Sequence, residues 1–418
     1  PTPVPTNTPT ATPTLTPTPT PTPSYLTLVT ASYLPPTTTQ GALIFSTGGS
    51  GAGVGNEQVL WRLATEGFTP LTDALLPGRW DCNDRGIQTC VFADQSGQVY
   101  TSTAISPAVP ILISPTLPIT RVDLSPNGDR LALVLTATLD ILDLRTPGLL
   151  TTVDGLPDLA ELVWAPDSQH LAYVTRTADA AALYSLDVTG SAGPIQLAEG
   201  DWIGAVSWSP DSTHLAFAQR GLDHPNGGDQ RQDLFVTDVG GVEVVNRTEY
   251  FEDRVRPSPG HAFGARWSAW QPDGRAIAFT WTSWPAPPEQ VEANVVSPAA
   301  DGGLPDPLLA DAGVLAADGT RLLWSPDGQQ VTAIIARVGE PASRLLWQRP
   351  ISATTWLPVT PPAHVVDNVC WTGDSRVLVY TTADGGLYWV DANGGVPVQL
   401  VQATRPQVMG DLRCPAQP

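Results

Sequence analysis

Side chains suited to ligand recognition are concentrated in three segments, residues 221–232, 247–265 and 281–293. The segments hold aromatic rings, arginines and carboxylates, and aromatic residues with Arg anchor most protein interfaces. Trp and Tyr rings also provide flat surfaces for sugar rings. Alternatively, these segments fold over the protein and bury their own aromatic side chains. The candidate ligand-binding residues are Asp223, His224, Arg231, Tyr250, Phe251, Glu252, Asp253, Arg254, Arg256, His261, Phe263, Trp281 and Trp284.

The same segments contain groups for proton transfer or cation binding. Glu252, Asp253 and His261 are the groups that an enzyme acting on glycans or peptides would use as acids and bases. Carboxylates at short intervals suit Ca²⁺, but those in the first segment match no established calcium loop. We therefore expect no metal and no cofactor, with calcium as the open alternative. The carboxylates of that alternative are Asp223, Asp229 and Asp233.

The glycine-rich run 48–55 matches no catalytic motif. A phosphate-binding loop needs Gly-Lys-Ser/Thr, which is absent, and a nucleophile elbow needs Gly where Ala52 stands. The chain contains no His-Glu-x-x-His. These observations predict no catalytic residue and favour a hairpin loop for the run.

The elements that must position these segments are repeats. A Trp-x-Pro-Asp motif returns along the chain, and its proline position recurs at steps of 40, 44, 62, 54 and 47 residues. A four-stranded propeller blade takes about 40 to 45 residues, so the longer steps carry insertions. The positions that define these steps are Pro126, Pro166, Pro210, Pro272, Pro326 and Gly373.

Each unit reads as four short strands without a long amphipathic helix, so the fold is all-β. Pro, Asp and Gly after the Trp predict a tight turn between the first and second strands. First strands are expected at Trp80, Leu124, Trp164, Trp208, Trp270, Trp324 and Trp371. Val408–Cys414 pairing with strands in 42–72 would close an eight-bladed ring. Seven blades result if Tyr25–Leu34 contributes a strand instead.

The Trp-Ser-Pro-Asp-Gly turn followed by Leu-Ala-Phe resembles the Pro-Asp repeat of TolB-type β-propellers, which are related to the WD-repeat propellers. The resemblance covers roughly Ala42 to the C-terminus. It implies that each motif Trp packs between blades and each Asp builds its turn. Such propellers serve as docking platforms, sensor ectodomains and peptidase gates. The peptidase relatives carry their nucleophile on an α/β-hydrolase domain, which we do not expect in this protein. In such a ring the three candidate segments project from one face.

Residues 1–40 are expected to form a stalk and 41–418 the propeller. All but four of residues 1–23 are Pro or Thr, which cannot pack a core. They predict a polyproline spacer of about 70 Å at about 3.1 Å per residue, similar to O-glycosylated stalks. The chain begins at Pro1, so we expect a signal peptide or membrane anchor outside this segment. No stretch is long and apolar enough to span a bilayer.

The cysteines and charges indicate an extracellular or cell-surface location, in a bacterium. Four cysteines allow three pairings, of which we favour Cys82–Cys90 and Cys370–Cys414, and such disulfides need an oxidising compartment. Their spacing argues against a metal site. All 21 basic residues are Arg, and 41 acidic residues give a net charge of −20. That charge disfavours nucleic acid as a partner.

Three functions fit these observations, in decreasing order of support. The first is a non-catalytic extracellular binding, sensor or scaffold module that recognises a protein or glycan through one face. The second is a secreted enzyme acting on glycans or peptides. The third is a structural component of a surface layer or sheath, within a larger cell-surface assembly.

Overall fold

The fold is an all-β propeller of eight blades, each a four-stranded antiparallel sheet. Among the residues the structure describes, no helix is long and apolar enough to cross a membrane. The computed structural model describes residues 26–28, 43–49, 58–64, 67–75, 79–83, 89–94, 96–103, 106–111, 118–146, 148–156, 158–190, 192–220, 232–248, 262–284, 290–298, 306–307, 322–337, 340–403 and 407–414.

The strands are numbered in chain order, and each blade is given from its innermost strand outward. Blade 1 contains β33 (Gln407–Arg413), β2 (Leu43–Gly49), β3 (Gln58–Ala64) and β4 (Gly67–Leu75). Blade 2 contains β5 (Trp80–Cys82), β6 (Thr89–Ala93), β7 (Val99–Thr103) and β8 (Ser106–Ile111). Blade 3 contains β9 (Ile119–Leu124), β10 (Arg130–Leu135), β11 (Thr138–Asp143) and β12 (Gly148–Asp154). Blade 4 contains β13 (Asp158–Trp164), β14 (His170–Arg176), β15 (Ala181–Asp187) and β16 (Ile195–Gly200).

The second half of the ring repeats this order. Blade 5 contains β17 (Trp202–Trp208), β18 (His214–Arg220), β19 (Asp233–Asp238) and β20 (Val244–Asn246). Blade 6 contains β21 (Ala262–Trp270), β22 (Ile277–Trp284), β23 (Gln290–Val296) and β24 (Asp306–Pro307). Blade 7 contains β25 (Leu322–Trp324), β26 (Gln330–Arg337), β27 (Glu340–Pro350) and β28 (Leu357–Pro358). Blade 8 contains β29 (Val366–Trp371), β30 (Val377–Thr382), β31 (Gly386–Asp391) and β32 (Val398–Ala403).

The ring closes as the sequence predicts, because β33 pairs with β2 to complete blade 1. The predicted N-terminal strand also exists as β1 (Leu26–Leu28), but it pairs with the outer edge of β32 as a fifth strand of blade 8. This strand therefore extends blade 8, and the number of blades stays at eight. Both favoured disulfides are present, Cys82–Cys90 between β5 and β6 and Cys370–Cys414 between blade 8 and blade 1.

The turns between first and second strands define one face of the ring, which we call the Pro-Asp face. In blade 5, Asp211 Oδ1 accepts the Ser209 hydroxyl at 2.6 Å and the Thr213 N–H at 3.1 Å, so the Asp builds the turn as expected. The residue after the Asp has a left-handed backbone, with φ of 74° at Gly274 and 61° at Ser212. Glycine adopts this conformation without strain, whereas serine does not.

Serine at the left-handed position links neighbouring blades. The Ser212 hydroxyl accepts the N–H of Asp167 from the preceding turn at 2.9 Å, and Ser168 and Ser375 accept the equivalent N–H groups of Asn127 and Asp327. A glycine cannot make this bond. A Gly at this position therefore only permits the turn, whereas a Ser also bonds the turn of the preceding blade.

The motif tryptophans provide a second link. In four of the five blades with a Trp at this position, the indole N–H donates to a carbonyl in the first strand of the preceding blade, one residue before that strand's own Trp position; no such bond is observed for Trp371. The four observed bonds are Trp164 to Asp123 (3.3 Å), Trp208 to Val163 (3.0 Å), Trp270 to Ser207 (3.2 Å) and Trp324 to Ala269 (3.0 Å). The indole rings also pack in the apolar clusters between blades, as Trp208 does with Leu183 and Phe217.

The serine link can be tested at Ser212. Ser212→Ala removes the acceptor for the Asp167 N–H and keeps the left-handed strain, which predicts a loss of about 1–2 kcal/mol. Ser212→Gly also removes the acceptor but relieves about 1 kcal/mol of strain, so it should unfold at a higher urea concentration than the alanine variant. Equal urea midpoints for the two variants would contradict this account.

The two disulfides should differ in their effect on stability. Cys370–Cys414 spans 44 residues and Cys82–Cys90 spans 8. Loop-closure entropy then predicts losses of about 4 and about 2.5 kcal/mol when each pair is replaced by serines. The measurement is chemical denaturation of the two double-serine variants. A larger loss for the Cys82/Cys90 variant would show that the ring closure is held mainly by other contacts.

Candidate functional site

Most of the candidate ligand-binding residues predicted from the sequence lie outside the described residues, so their placement stays a prediction. Phe263 lies in β21 and both Trp281 and Trp284 lie in β22, but only their backbone is described. The residues outside the described part are Asp223, His224, Asp229, Arg231, Tyr250, Phe251, Glu252, Asp253, Arg254, Arg256 and His261.

The ends of the three candidate segments do come together on the face opposite the Pro-Asp face, which we call the loop face. Ala265 of blade 6 donates its N–H to the carbonyl of Gln232 in blade 5 at 2.8 Å. Ala265 also pairs with Trp281 across β21 and β22. Residues 262–265, 281–284 and 290–293 were expected as loop and are strand, because they pair with one another and lengthen β21, β22 and β23.

Asp233, one of the proposed calcium ligands, has a structural role at the start of β19. Its Oδ1 accepts the Thr248 hydroxyl at 2.8 Å and its Oδ2 accepts the Asn246 amide at 3.0 Å. These bonds fasten the end of β20. Within the described ranges, no group of three His, Cys, Asp or Glu side chains is placed to hold a metal ion.

His364 forms a polar cluster elsewhere on the loop face. Its Nδ1 lies 2.8 Å from the Tyr380 hydroxyl, and its ring lies 4.4 Å from the ring of Tyr388. Burial lowers the pKa of His364, although the Asp384 carboxylate opposes this effect. A neutral imidazole against two tyrosines orders the connection into β29. This cluster therefore stabilises blade 8.

A cavity of about 770 Å³ opens at the centre of the Pro-Asp face, and we call it the channel mouth. Its wall is formed by the ends of the first strands, because the residue before the Trp position points into the channel. Prolines of the Pro-Asp turns form its rim. The wall residues are Arg413, Asp81, Asp123, Val163, Leu323 and Cys370, from blades 1, 2, 3, 4, 7 and 8.

Charge is confined to one sector of the channel mouth, on blades 1 to 3. Arg413 donates to Asp81 Oδ1 at 3.3 Å, and its guanidinium lies 5.5 Å from the centre of the Trp80 ring. Asp81 Oδ2 accepts the N–H of Leu124 at 2.9 Å. The remaining wall is apolar from Val163 to Leu323. The mouth can therefore take a ligand with one polar and one apolar side.

Three of these wall residues replace a missing tryptophan. The strand register places Cys82, Leu124 and Cys414 at the Trp position of blades 2, 3 and 1. In each of these blades, the side chain of the wall residue in the preceding blade makes the bond between the two blades. The links are Arg413 to Asp81 beside Cys82, Asp81 to the Leu124 N–H, and the Cys370–Cys414 disulfide.

Asp123 is the exception, since its carbonyl already receives the Trp164 indole and its carboxyl links no blade. The Arg121 guanidinium holds this carboxyl from two sides, with Nη2 2.7 Å from Oδ1 and Nε 2.6 Å from Oδ2. Its side chain is 16% exposed. Burial, opposed by Arg121 and supported by the Asp81 carboxylate, raises the pKa of Asp123 to about 7.

The sequence analysis did not select Asp81, Asp123 or Arg413. Aligning the residue before each Trp position gives Asp81, Asp123 and Arg413 in three consecutive blades and small or apolar residues in the others. That alignment needs the register of blades 1 and 2. In blade 2 the structure puts Cys82, and not Trp80, at the Trp position.

The fold and the channel mouth define the class of this protein as an eight-bladed β-propeller. No family model matches the chain, and no curated protein matches its sequence. The tricorn protease structure is similar with a TM-score of 0.51 and 11% identity over 85% of this chain, which spans only 38% of that protein. A eukaryotic initiation factor is similar with a TM-score of 0.50 and 12% identity over 85% of this chain and 86% of that one.

TolB from Acinetobacter baumannii is also among the similar structures, at a TM-score of 0.40 and 17% identity over 79% of this chain and 81% of that one. At such identities the likeness shows the fold alone. Similar structures with TM-scores of 0.51 and 0.50 include a protease and an initiation factor. The fold therefore does not decide between an enzyme and a binding protein.

The raised pKa of Asp123 predicts a pH effect on stability. Between about pH 4 and about pH 7 the folded state keeps a proton that the unfolded chain has lost, so this group makes stability fall as pH rises through that window. Asp123→Asn should flatten that fall, measured by urea unfolding at pH 4, 5.5 and 7. Asp143→Asn is the control: hydrogen bonds lower the pKa of Asp143, so its pH dependence lies below about pH 4 and this variant should keep the original profile between pH 4 and 7. An unchanged pH profile in Asp123→Asn would contradict the assignment.

Proposed function

We propose that this propeller is a non-catalytic extracellular binding, sensor or scaffold module that recognises a protein or glycan through the Pro-Asp face. The supporting observation is the channel mouth, a cavity of about 770 Å³ with one charged and one apolar sector. Ligand sites in proteins are concave and mainly apolar, with a few fixed polar groups. Here the polar groups are fixed by ion pairs and by a disulfide before any ligand arrives.

The non-catalytic part of the proposal rests on how the charged groups are used. Arg413 and Asp81 link blades, and Arg121 occupies both oxygens of Asp123. A group that holds the ring together is poorly placed to move during a reaction. Two disulfides are compatible with the proposed extracellular or envelope location.

An enzyme is the second candidate, because Asp123 lies beside a second carboxylate and has a raised pKa. A carboxyl group with a raised pKa near a second carboxyl group is a usual arrangement for catalysis on glycans. The predicted acid/base residues of the loop face, Glu252, Asp253 and His261, remain a separate proposal for this activity.

The experiment applies the full chain to arrays of glycans and of extended peptides, followed by mass spectrometry of each bound ligand. We expect saturable binding without change in ligand mass, and at least fivefold weaker binding by Asp123→Asn, which removes the one wall charge that links no blade. Tyr250→Ala with Arg254→Ala tests the loop face as the matched control.

Each other outcome changes the assignment. Cleaved ligand that disappears in an Asp81→Asn, Asp123→Asn double variant would establish the enzyme. Binding lost only in the Tyr250/Arg254 variant would move recognition to the loop face. The absence of any ligand, together with self-assembly of the purified chain, would favour the structural role.

A further inference from the structure

Exposed apolar side chains are confined to one perimeter of this propeller. Among the residues the structure describes, every large apolar side chain that is well exposed lies in a turn between third and fourth strands or near the start of a fourth strand. Both places are at the outer edge of the Pro-Asp face. These residues are Leu149, Leu150, Ile195, Val242, Val244, Ile351, Leu357 and Val396.

Five of them lie on three consecutive blades, and we call this group the apolar rim. Leu149 and Leu150 of blade 3 are 59% and 43% exposed, Ile195 of blade 4 is 47% exposed, and Val242 and Val244 of blade 5 are 89% and 46% exposed. A bulge in β12 leaves Leu150 without a direct partner in β11, so two adjacent leucines face solvent. Exposed apolar side chains grouped on neighbouring blades in this way mark an interaction site.

A carboxylate accompanies the apolar side chains on each of these blades. Asp143, Asp187 and Asp238 occupy the same turn of blades 3, 4 and 5, and each accepts N–H groups from its own turn through Oδ1. These hydrogen bonds lower the pKa of all three carboxyls, so they are ionised at neutral pH. The rim therefore presents aliphatic and anionic groups in alternation, one set per blade.

The combination of aliphatic side chains and carboxylates indicates which kind of ligand fits the rim. A second copy of the chain would bring the same carboxylates together, and each copy carries a net charge of −20. The nearby Arg145 does not offset this charge, because it pairs with Asp129 at 2.6 Å. A glycan would supply no cation for the carboxylates. The complementary ligand is a polypeptide with aliphatic side chains interleaved with Arg or Lys.

We propose that the apolar rim of blades 3 to 5 is the docking surface for a basic protein segment in which aliphatic residues alternate with Arg or Lys. The inference rests on the proposed binding function and adds a second contact surface, at the outer edge of the Pro-Asp face, and the chemistry of its partner. β1 on the outer edge of β32 shows that the perimeter of a blade of this ring already accepts an extended segment of Leu and Thr. On blades 3 to 5 no described strand covers the outer edge.

The test measures fluorescence anisotropy of three synthetic peptides with the full chain at about 0.15 M salt. The peptides alternate Val with Arg, Ser with Arg, and Val with Glu. We expect the Val/Arg peptide to bind at least tenfold more tightly than either of the others. The Ser/Arg peptide reports the charge contribution alone, because it lacks the aliphatic side chains.

Variants separate the rim from the rest of the perimeter. Leu150→Ser with Ile195→Ser should reduce the preference for Val/Arg over Ser/Arg to less than threefold. Leu357→Ser with Val396→Ser on blades 7 and 8 is the matched control and should keep the preference. Asp143→Asn with Asp187→Asn should weaken both Arg peptides, since Asn retains the turn acceptor and loses the charge. All six substitutions are at exposed or partly exposed turn and edge positions, so the melting temperature checks that each variant folds.

Two results would overturn the inference: equal affinity for Val/Arg and Ser/Arg, or equal loss of preference in the blade 7 and 8 control. A ligand found on the arrays that binds the Leu150/Ile195 variant normally would leave the binding function in place and remove only the rim. If neither the arrays nor the peptides give binding, the binding function itself fails.

Discussion

Each blade of this propeller is a separate sheet, so the ring depends on hydrogen bonds and apolar packing between neighbouring blades. The indole N–H of the motif Trp makes the recurring bond, to the carbonyl one residue before the Trp position of the preceding blade, as from Trp208 to Val163. This bond needs no particular side chain at the accepting residue. It therefore fixes the backbone of the channel wall and leaves the wall side chains open to chemistry. A repeat protein can vary its central channel in this way without losing its ring.

The three blades without a Trp at this position show what happens when the bond is absent. Cys82, Leu124 and Cys414 cannot donate an indole N–H, and the wall side chain of the preceding blade makes each link instead. The three indole bonds are replaced by an ion pair, by a hydrogen bond from a backbone N–H to a carboxylate, and by a disulfide. Ionic links within a half-buried wall contribute little unless their geometry is good. The disulfide is the link between blade 8 and β33, the strand that closes the ring.

Much of the fold followed from the sequence because its determinants are local. Pro, Asp and Gly set each turn within four residues, and alternation sets each strand. The position of β1 did not follow, because a three-residue Leu-Thr-Leu strand carries no signal that selects an outer edge over a blade of its own. The Arg413–Asp81 link joins residues 332 positions apart, and only the closed ring brings them together. Asp123 was missed for the same reason, since its raised pKa depends on burial and on Asp81.

The two faces of the ring differ because of what their turns require. A tight Pro-Asp turn needs a side-chain oxygen that accepts backbone N–H groups, and in most blades this oxygen belongs to an Asp, so the turns place carboxylates on the Pro-Asp face. Turn geometry does not require the exposed leucines at 149 and 150 on the outer strand of blade 3. An exposed apolar edge of this kind favours association between copies of the chain. Here the carboxylates of the neighbouring turns oppose that association, because two such edges would place Asp against Asp. The same carboxylates would attract a basic segment, so one arrangement of charge both keeps copies apart and selects the partner.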